Sequence, residues 1–264
     1  MDTCLIIGKV WPEPSSTAAG RRTLDIIQAL IHTGRRVVFA SAALKNEHCA
    51  SLSVWDVEEQ NIKLNDSSFD EWVKGLNPDV VIFDRFMTEE QFGWRVERSI
   101  PSAIRILDTS DLHLLREARR VNTDTNNEID LFHETALREI GSIYRSDLTL
   151  LISEAEIKIL KETFGIEASL VEYWPFSIKT NHFSDEPSYQ ERQDCVMLGS
   201  FMHPPNVDSV RWCVSEIWPQ IRRRLPDVEL HIYGSYSDDF KLPEKTVDQG
   251  VFLKGRMGDV SKEL

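Results

Sequence analysis

Two carboxylates, Asp108 and Asp111, follow directly on the apolar run Ala103–Leu107, and His113 comes two residues later. A run of that length and composition is a buried strand, and parallel α/β sheets bind their ligands beyond strand C-termini. Carboxylates and an imidazole placed there could hold a hydroxyl or exchange its proton. They could equally be structural: Asp111 could cap a helix starting at Leu112, with His113 a surface residue of its first turn. A second constellation, Gly199-Ser200-Phe201-Met202-His203-Pro204-Pro205-Asn206, follows the apolar run Cys195–Leu198. Glycine lets a phosphate approach the backbone, and a helix opening there with Asn206 as N-cap would present N–H groups and a positive dipole end. Strand–helix corners of this kind also occur as plain scaffold.

The elements around these residues must be strands and helices in alternation. After Asn206 the residues Val207, Val210, Val214, Ile217, Trp218, Ile221 and Leu225 recur at helical spacing, and Pro219 inside that stretch should kink the helix. Val228–Tyr233 reads as a strand closed by Gly234, and Val251–Lys254 as another, followed by Gly255, Arg256 and a helix from Met257. Upstream, the expected strands are Thr3–Ile7, Arg36–Ala40, a short one near Leu52–Trp55, Asp79–Phe83, Ala103–Leu107, Asp147–Ile152 and Ala168–Glu172. Helices are expected over Arg21–Thr33, Ser68–Leu76, Thr88–Arg98, Glu128–Tyr144 and from Ser153, which with Glu156 has capping-box spacing. The charged stretch Leu114–Asn127 reads as a solvated helix fading into a mobile loop. Residues 179–193 are polar and without period, and form the linker between a first domain, 1–178, and a second, 194–264. The fold class is therefore α/β, with parallel sheets in both domains. The second domain, with three strands, looks incomplete.

Composition narrows the function. The chain has 264 residues and a formal net charge of −13. That acidity speaks against a nucleic-acid groove and against adhesion to anionic membranes. Arg222, Arg223 and Arg224 are a local basic patch at a solvated helix end. The four cysteines lack paired metal spacing, and Cys4, Cys195 and Cys213 sit in apolar contexts expected of buried thiols. There is neither a signal-peptide pattern nor an apolar run of the roughly 20 residues that span a bilayer. A cytoplasmic protein is the expectation. The loop after the first strand, which holds Trp11, Ser16, Thr17 and Gly20, is not GxGxxG, so no dinucleotide fingerprint is present.

Together, GSFMHPPNVDSVRWCVSEIWPQIRRRLPDVELHIYGS, GVFLKGRMGDV, DVVIFDRF, RILDTSDLHLLREARR and SDLTLLISEAE resemble the family 4 (group 1) glycosyltransferases of GT-B fold. The resemblance implies two Rossmann-like domains facing across a cleft, the N-terminal one taking an acceptor and the C-terminal one a nucleotide sugar. It implies transfer of a hexose to an acceptor hydroxyl, with retention, and with neither metal nor cofactor. By likeness, Trp11, Ser16, Thr17 and Gly20 would line the acceptor side. Gly199, Ser200, His203 and Asn206 would lie by the donor diphosphate, and Gly234, Lys254, Gly255 and Arg256 by the nucleotide. Asp108, Asp111 and His113 would stand at the reacting centre. The sequence departs from the family pattern in reading Ser110-Asp111 where many members have His-Asp, and the paired glutamates that hold the donor lie beyond Arg256 in the family. The resemblance thus implies a donor domain truncated at its C-terminal side, to be completed by a partner chain. A non-catalytic nucleotide- or glycan-binding remnant, or half of a split enzyme, is the alternative. A reductase or epimerase of another Rossmann class is weaker, since a Tyr-x-x-x-Lys pair is missing too.

Overall fold

The computed structural model describes residues 2–125, 129–177, 188–242, 246 and 249–256. By internal contacts the chain divides into two units, one of Met1–Pro12 and Arg21–Ser177, the other of Glu13–Gly20 and Ile178–Leu264. Most of the expected linker lies outside the described residues; its end holds a single 3-10 turn, Tyr189–Glu191.

The first unit is a seven-stranded sheet in the order β3-β2-β1-β4-β5-β6-β7, with every pairing parallel. Its strands are β1 (Thr3–Gly8), β2 (Arg36–Ser41), β3 (Glu58–Asn61), β4 (Val80–Asp84), β5 (Ile104–Asp108), β6 (Leu148–Leu151) and β7 (Val171–Tyr173). The helices between them are α1 (Ala18–His32), α2 (Ser68–Leu76), α3 (Phe86–Ser99), α4 (His113–Thr125), α5 (Glu134–Arg145) and α6 (Glu154–Phe164). Alternate residues of one strand enter different cores. Leu5, Ile7, Val81 and Phe83 pack with Phe69, Val73, Phe92, Ala136 and Leu160 of the helices. Ile6, Val37, Phe39 and Ile82 pack with Leu24 and Ile27 of α1. Side chains alternate across a pleated strand, so burial on both faces demands the unbroken apolar runs seen in the sequence.

The second unit holds a three-stranded parallel sheet, β10-β9-β8, made of β8 (Cys195–Leu198), β9 (Leu230–Tyr233) and β10 (Val251–Gly255). Its core joins Leu230, Ile232 and Val251 to Val210, Val214 and Trp218 of the helical layer. That layer is α7 (Pro204–Trp212), a π-helical turn over Cys213–Ile217, and α8 (Trp218–Arg224). The expected kink takes this form because Pro219 has no N–H; Trp218 N–H instead reaches Cys213, five residues back.

Several expectations are corrected. Leu52–Trp55 is a 3-10 turn, and the strand lies at Glu58–Asn61, whose EEQN sequence is polar because β3 is a sheet edge. Ala168–Leu170 is likewise a 3-10 turn that leads into β7. The stretch after Leu112 is not a solvated helix: Leu114, Leu115 and Ala118 are buried. Helix α5 starts at Glu134 rather than Glu128, and Ile129 and Phe132 are exposed. Cys4 is buried, but Cys195 and Cys213 are only half-buried. Arg222 is not free at a helix end, since its Nη1 donates to Val228 O at 2.5 Å. The helix expected from Met257 falls outside the described residues.

Candidate functional site

The C-terminal edge of the first sheet gathers its charged residues by strand register: Asp84 pairs with Asp108, and Asp108 with Leu150. Asp108 is 4% exposed. Its partner is Arg22 of α1, 2% exposed, whose Nε lies 2.9 and 3.0 Å from the two carboxylate oxygens and whose Nη2 lies 2.7 Å from Oδ1. The remaining Nη1 donates to Trp174 O at 2.6 Å. Burial pushes the Asp108 carboxyl up, and the Arg22 guanidinium pulls it back. Two bidentate charged groups taken out of water together make a rigid anchor for the strand end. Two non-glycine residues on this edge take left-handed backbone angles, Arg85 at φ 71° and Ser110 at φ 59°. Arg85 N–H donates to Asp108 O at 2.8 Å across the strand ends.

Helix α4 begins just beyond. Its first N–H groups meet carboxylates of the chain itself: Leu112 N donates to Glu156 Oε1 at 3.3 Å, His113 N to Glu139 Oε1 at 3.1 Å and Leu114 N to Glu139 Oε2 at 2.7 Å. Glu139 is fully buried. A helix N-terminus attracts anions through free N–H groups and its dipole, and here that demand is met from within. Asp111 is therefore not the cap that the sequence suggested; its side chain lies 3.5 Å from Arg116. His113 is the first residue of α4, and its Nδ1 lies 3.2 Å from Asp111 O and 3.5 Å from Glu139 Oε1. Its ring stands edge-on to Phe86. No hydrogen bond among the described residues engages Nε2.

Of the residues expected on the acceptor side, Trp11 belongs to the core. It is 1% exposed, donates Nε1–H to Ala43 O at 2.8 Å, packs on Phe39, and has Lys45 Nζ 4.4 Å from its ring centroid. The indole thus offers no free face to a sugar. Thr17 Oγ1 accepts from Gly20 N at 3.0 Å, which makes it the cap of α1. Gly20 must lack a Cβ, which would sit 2.5 Å from Glu13 N. The Oγ of Ser16 is buried without a hydrogen-bond partner among the described residues.

In the second unit the strand–helix corner closes differently. The N-cap of α7 is His203, not Asn206, and the next two residues are prolines without N–H groups. Asn206 instead ties the loop from the third helical position, its Nδ2 donating to Ser200 O at 3.0 Å. The N–H groups of Gly199, Phe201, His203 and Asn206 donate to Tyr233, Ser235, Ser200 and His203 carbonyls at 2.9–3.1 Å. A Cβ on Gly234 would lie 2.1 Å from Gly199 O, so this glycine permits contact between two loops of the chain. A Cβ on Gly199 would meet Asn206 at 2.9 Å. Gly255 takes φ 77°, and its carbonyl accepts from Gly234 N at 2.8 Å. Gly199, Gly234 and Gly255, expected on the donor side, are thus brought to one edge of the three-stranded sheet. Lys254 Nζ lies 5.1 Å from the Phe252 ring, and Arg256 Nη2 donates to Ser15 Oγ at 3.0 Å within the same unit.

No family model and no curated protein matches the chain. Solved structures do match. Sucrose-phosphate synthase from Thermosynechococcus elongatus aligns over 97% of this chain and 71% of its own, with a TM-score of 0.62 and 13% identity. WaaG, a glycosyltransferase involved in lipopolysaccharide biosynthesis, aligns over 98% of this chain and 71% of its own, with a TM-score of 0.62 and 11% identity. The fold is GT-B. A putative UDP-N-acetylglucosamine 2-epimerase from Listeria monocytogenes also matches, over 97% of this chain and 70% of its own, with a TM-score of 0.53 and 9% identity. At such identities the likeness is one of architecture, and a GT-B chain is not thereby assigned a reaction.

Sequence reasoning missed Arg22 and Glu139, the two buried charges that organise the first GT-B edge. Glu139 had a signal: it falls on the helix stripe of Ala136 and Ile143, three and four residues away, where a charge is unexpected. Arg22 likewise precedes Ile26 by one turn. No helix among the described residues is long and apolar enough to cross a membrane.

Proposed function

We propose that this chain is a glycosyltransferase-type protein that moves a hexosyl group from a nucleotide sugar to an acceptor hydroxyl, with retention and without a metal in the transfer step. The observation that carries the reading is the GT-B architecture, matched over nearly the whole chain by glycosyltransferase structures. In this reading Ser16, Thr17 and Gly20 belong to the acceptor side, with Asp111 and His113 Nε2 available to an acceptor hydroxyl and Asp108 holding the strand end through Arg22. Gly199, Ser200, His203, Asn206 and Gly234 shape the donor loop. Lys254 and Arg256, beside Gly255, supply positive charge for the departing diphosphate.

A second reading is supported by the corner before α7: its prolines and committed N–H groups leave little backbone to grip a diphosphate. On that reading the chain binds a nucleotide or glycan without turnover, or acts as half of a split transferase with a partner chain. A thermal-shift screen of nucleotide sugars, followed by assay of nucleoside-diphosphate release, separates the two. A ligand that binds only the folded state at 100 times its dissociation constant stabilises by about 2.7 kcal/mol. Stabilisation with turnover supports the transferase, and stabilisation without it the binding protein. No response to any nucleotide sugar removes the transferase and the nucleotide-binding readings, and no response to glycans in the same format removes glycan binding as well.

A further inference from the structure

The N-terminal edge of the second sheet carries a group of donors unrelated to the ligand-facing edge. Asp194 immediately precedes β8, Glu229 immediately precedes β9, and His231 is the second residue of β9. The parallel register pairs Cys195 with Leu230 and Val196 with His231, which brings Asp194 beside Glu229. Glu229 and His231 are two residues apart in extended chain and meet on one side, 2.9 Å apart. One ligand atom from each of the three lies within 4.8 Å of the others. The backbone holds them there: Asp194 Oδ1 accepts from Glu229 N at 2.8 Å, and Glu229 Oε2 lies 2.9 Å from His231 Nε2. The imidazole is braced edge-on against Tyr233 and Phe252, with ring centroids at 6.5 and 6.0 Å.

We propose that Asp194, Glu229 and His231 form a binding site for a divalent cation of the zinc class. Two carboxylates balance the ion's charge, and the imidazole nitrogen selects zinc-like ions over calcium or magnesium, which prefer all-oxygen sets. Three protein ligands leave a fourth position to water. Binding replaces the Glu229–His231 hydrogen bond with two metal bonds to the same atoms, the imidazole proton moving to Nδ1. The ion ties the start of β8 to the start of β9 and steadies the second unit; it takes no part in transfer chemistry.

The test is titration of the full chain with Zn2+ by calorimetry, with thermal unfolding in parallel. The expected result is one ion per chain and a raised unfolding midpoint, with affinity lost at least about tenfold in His231→Ala. Asp194→Asn is the second variant, because it keeps the oxygen that accepts from Glu229 N and so preserves the local fold while removing a charged ligand; it is expected to weaken binding as well. Absence of Zn2+ binding to the wild-type chain, or equal affinity in wild type and both variants, overturns the proposal.

Discussion

The two units solve one problem in opposite ways. In each, a strand ends, the chain turns, and a helix begins with N–H groups that need acceptors. At β5–α4 the acceptors are side-chain carboxylates brought from α5 and α6, Glu139 and Glu156. At β8–α7 they are main-chain carbonyls, two of the donors are deleted by proline, and glycines let the loops approach. A corner built from buried charge depends on distant residues and on pH. A corner built from backbone depends on the absence of side-chain atoms.

The contrast predicts unequal responses. Glu139→Ala orphans the buried N–H of Leu114 and the half-buried N–H of His113 and should cost about 2–6 kcal/mol in urea denaturation, since each such group costs about 1–3 kcal/mol. A loss under about 1 kcal/mol would show that water caps the helix as well as the carboxylate does. Gly234→Ala forces a Cβ against the Gly199 carbonyl and should cost about 1–3 kcal/mol, the range for overpacking. If it is neutral, the backbone corner is softer than its contacts imply. Glu156→Gln should have the smallest effect and one that depends on pH. Burial, the largest influence, raises the Glu156 carboxyl, with Asp111 and Glu139 adding to it and the Leu112 N–H opposing. A raised folded-state pKa stabilises fully below the unfolded value of about 4.3 and loses that contribution as pH rises through the folded value. The glutamine variant should therefore lack this decline, and the gap between thermal midpoints should move in its favour from pH 4 to pH 7. A constant gap would place Glu156 in an ordinary solvated environment.

Much of the first corner was hidden in the sequence for a physical reason. Asp108 and Asp111 announced themselves by position, but Arg22 is 86 residues from its partner Asp108, and Glu139 is 26 from the N–H of His113. Neither pairing has a local signature beyond a charge on an apolar helix stripe. The second corner was more legible, because glycine and proline act through the backbone of their own neighbourhood. Even there Asn206 was misplaced as the cap, since two consecutive prolines moved the helix start back to His203.

Residue order by itself determined the central strands β1, β2, β4, β5 and β6 of the first sheet, because a strand buried on two faces must be apolar whatever its partners; the edge strands β3 and β7 were displaced from their expected places. It also determined the break at Pro219, where a missing N–H is a property of one residue. Tertiary structure alone decided which charges are buried, and that Trp11 fills a core rather than faces a ligand. It also set Asp194, Glu229 and His231 together, because the register of two strands separated by a helix is fixed only when the sheet forms.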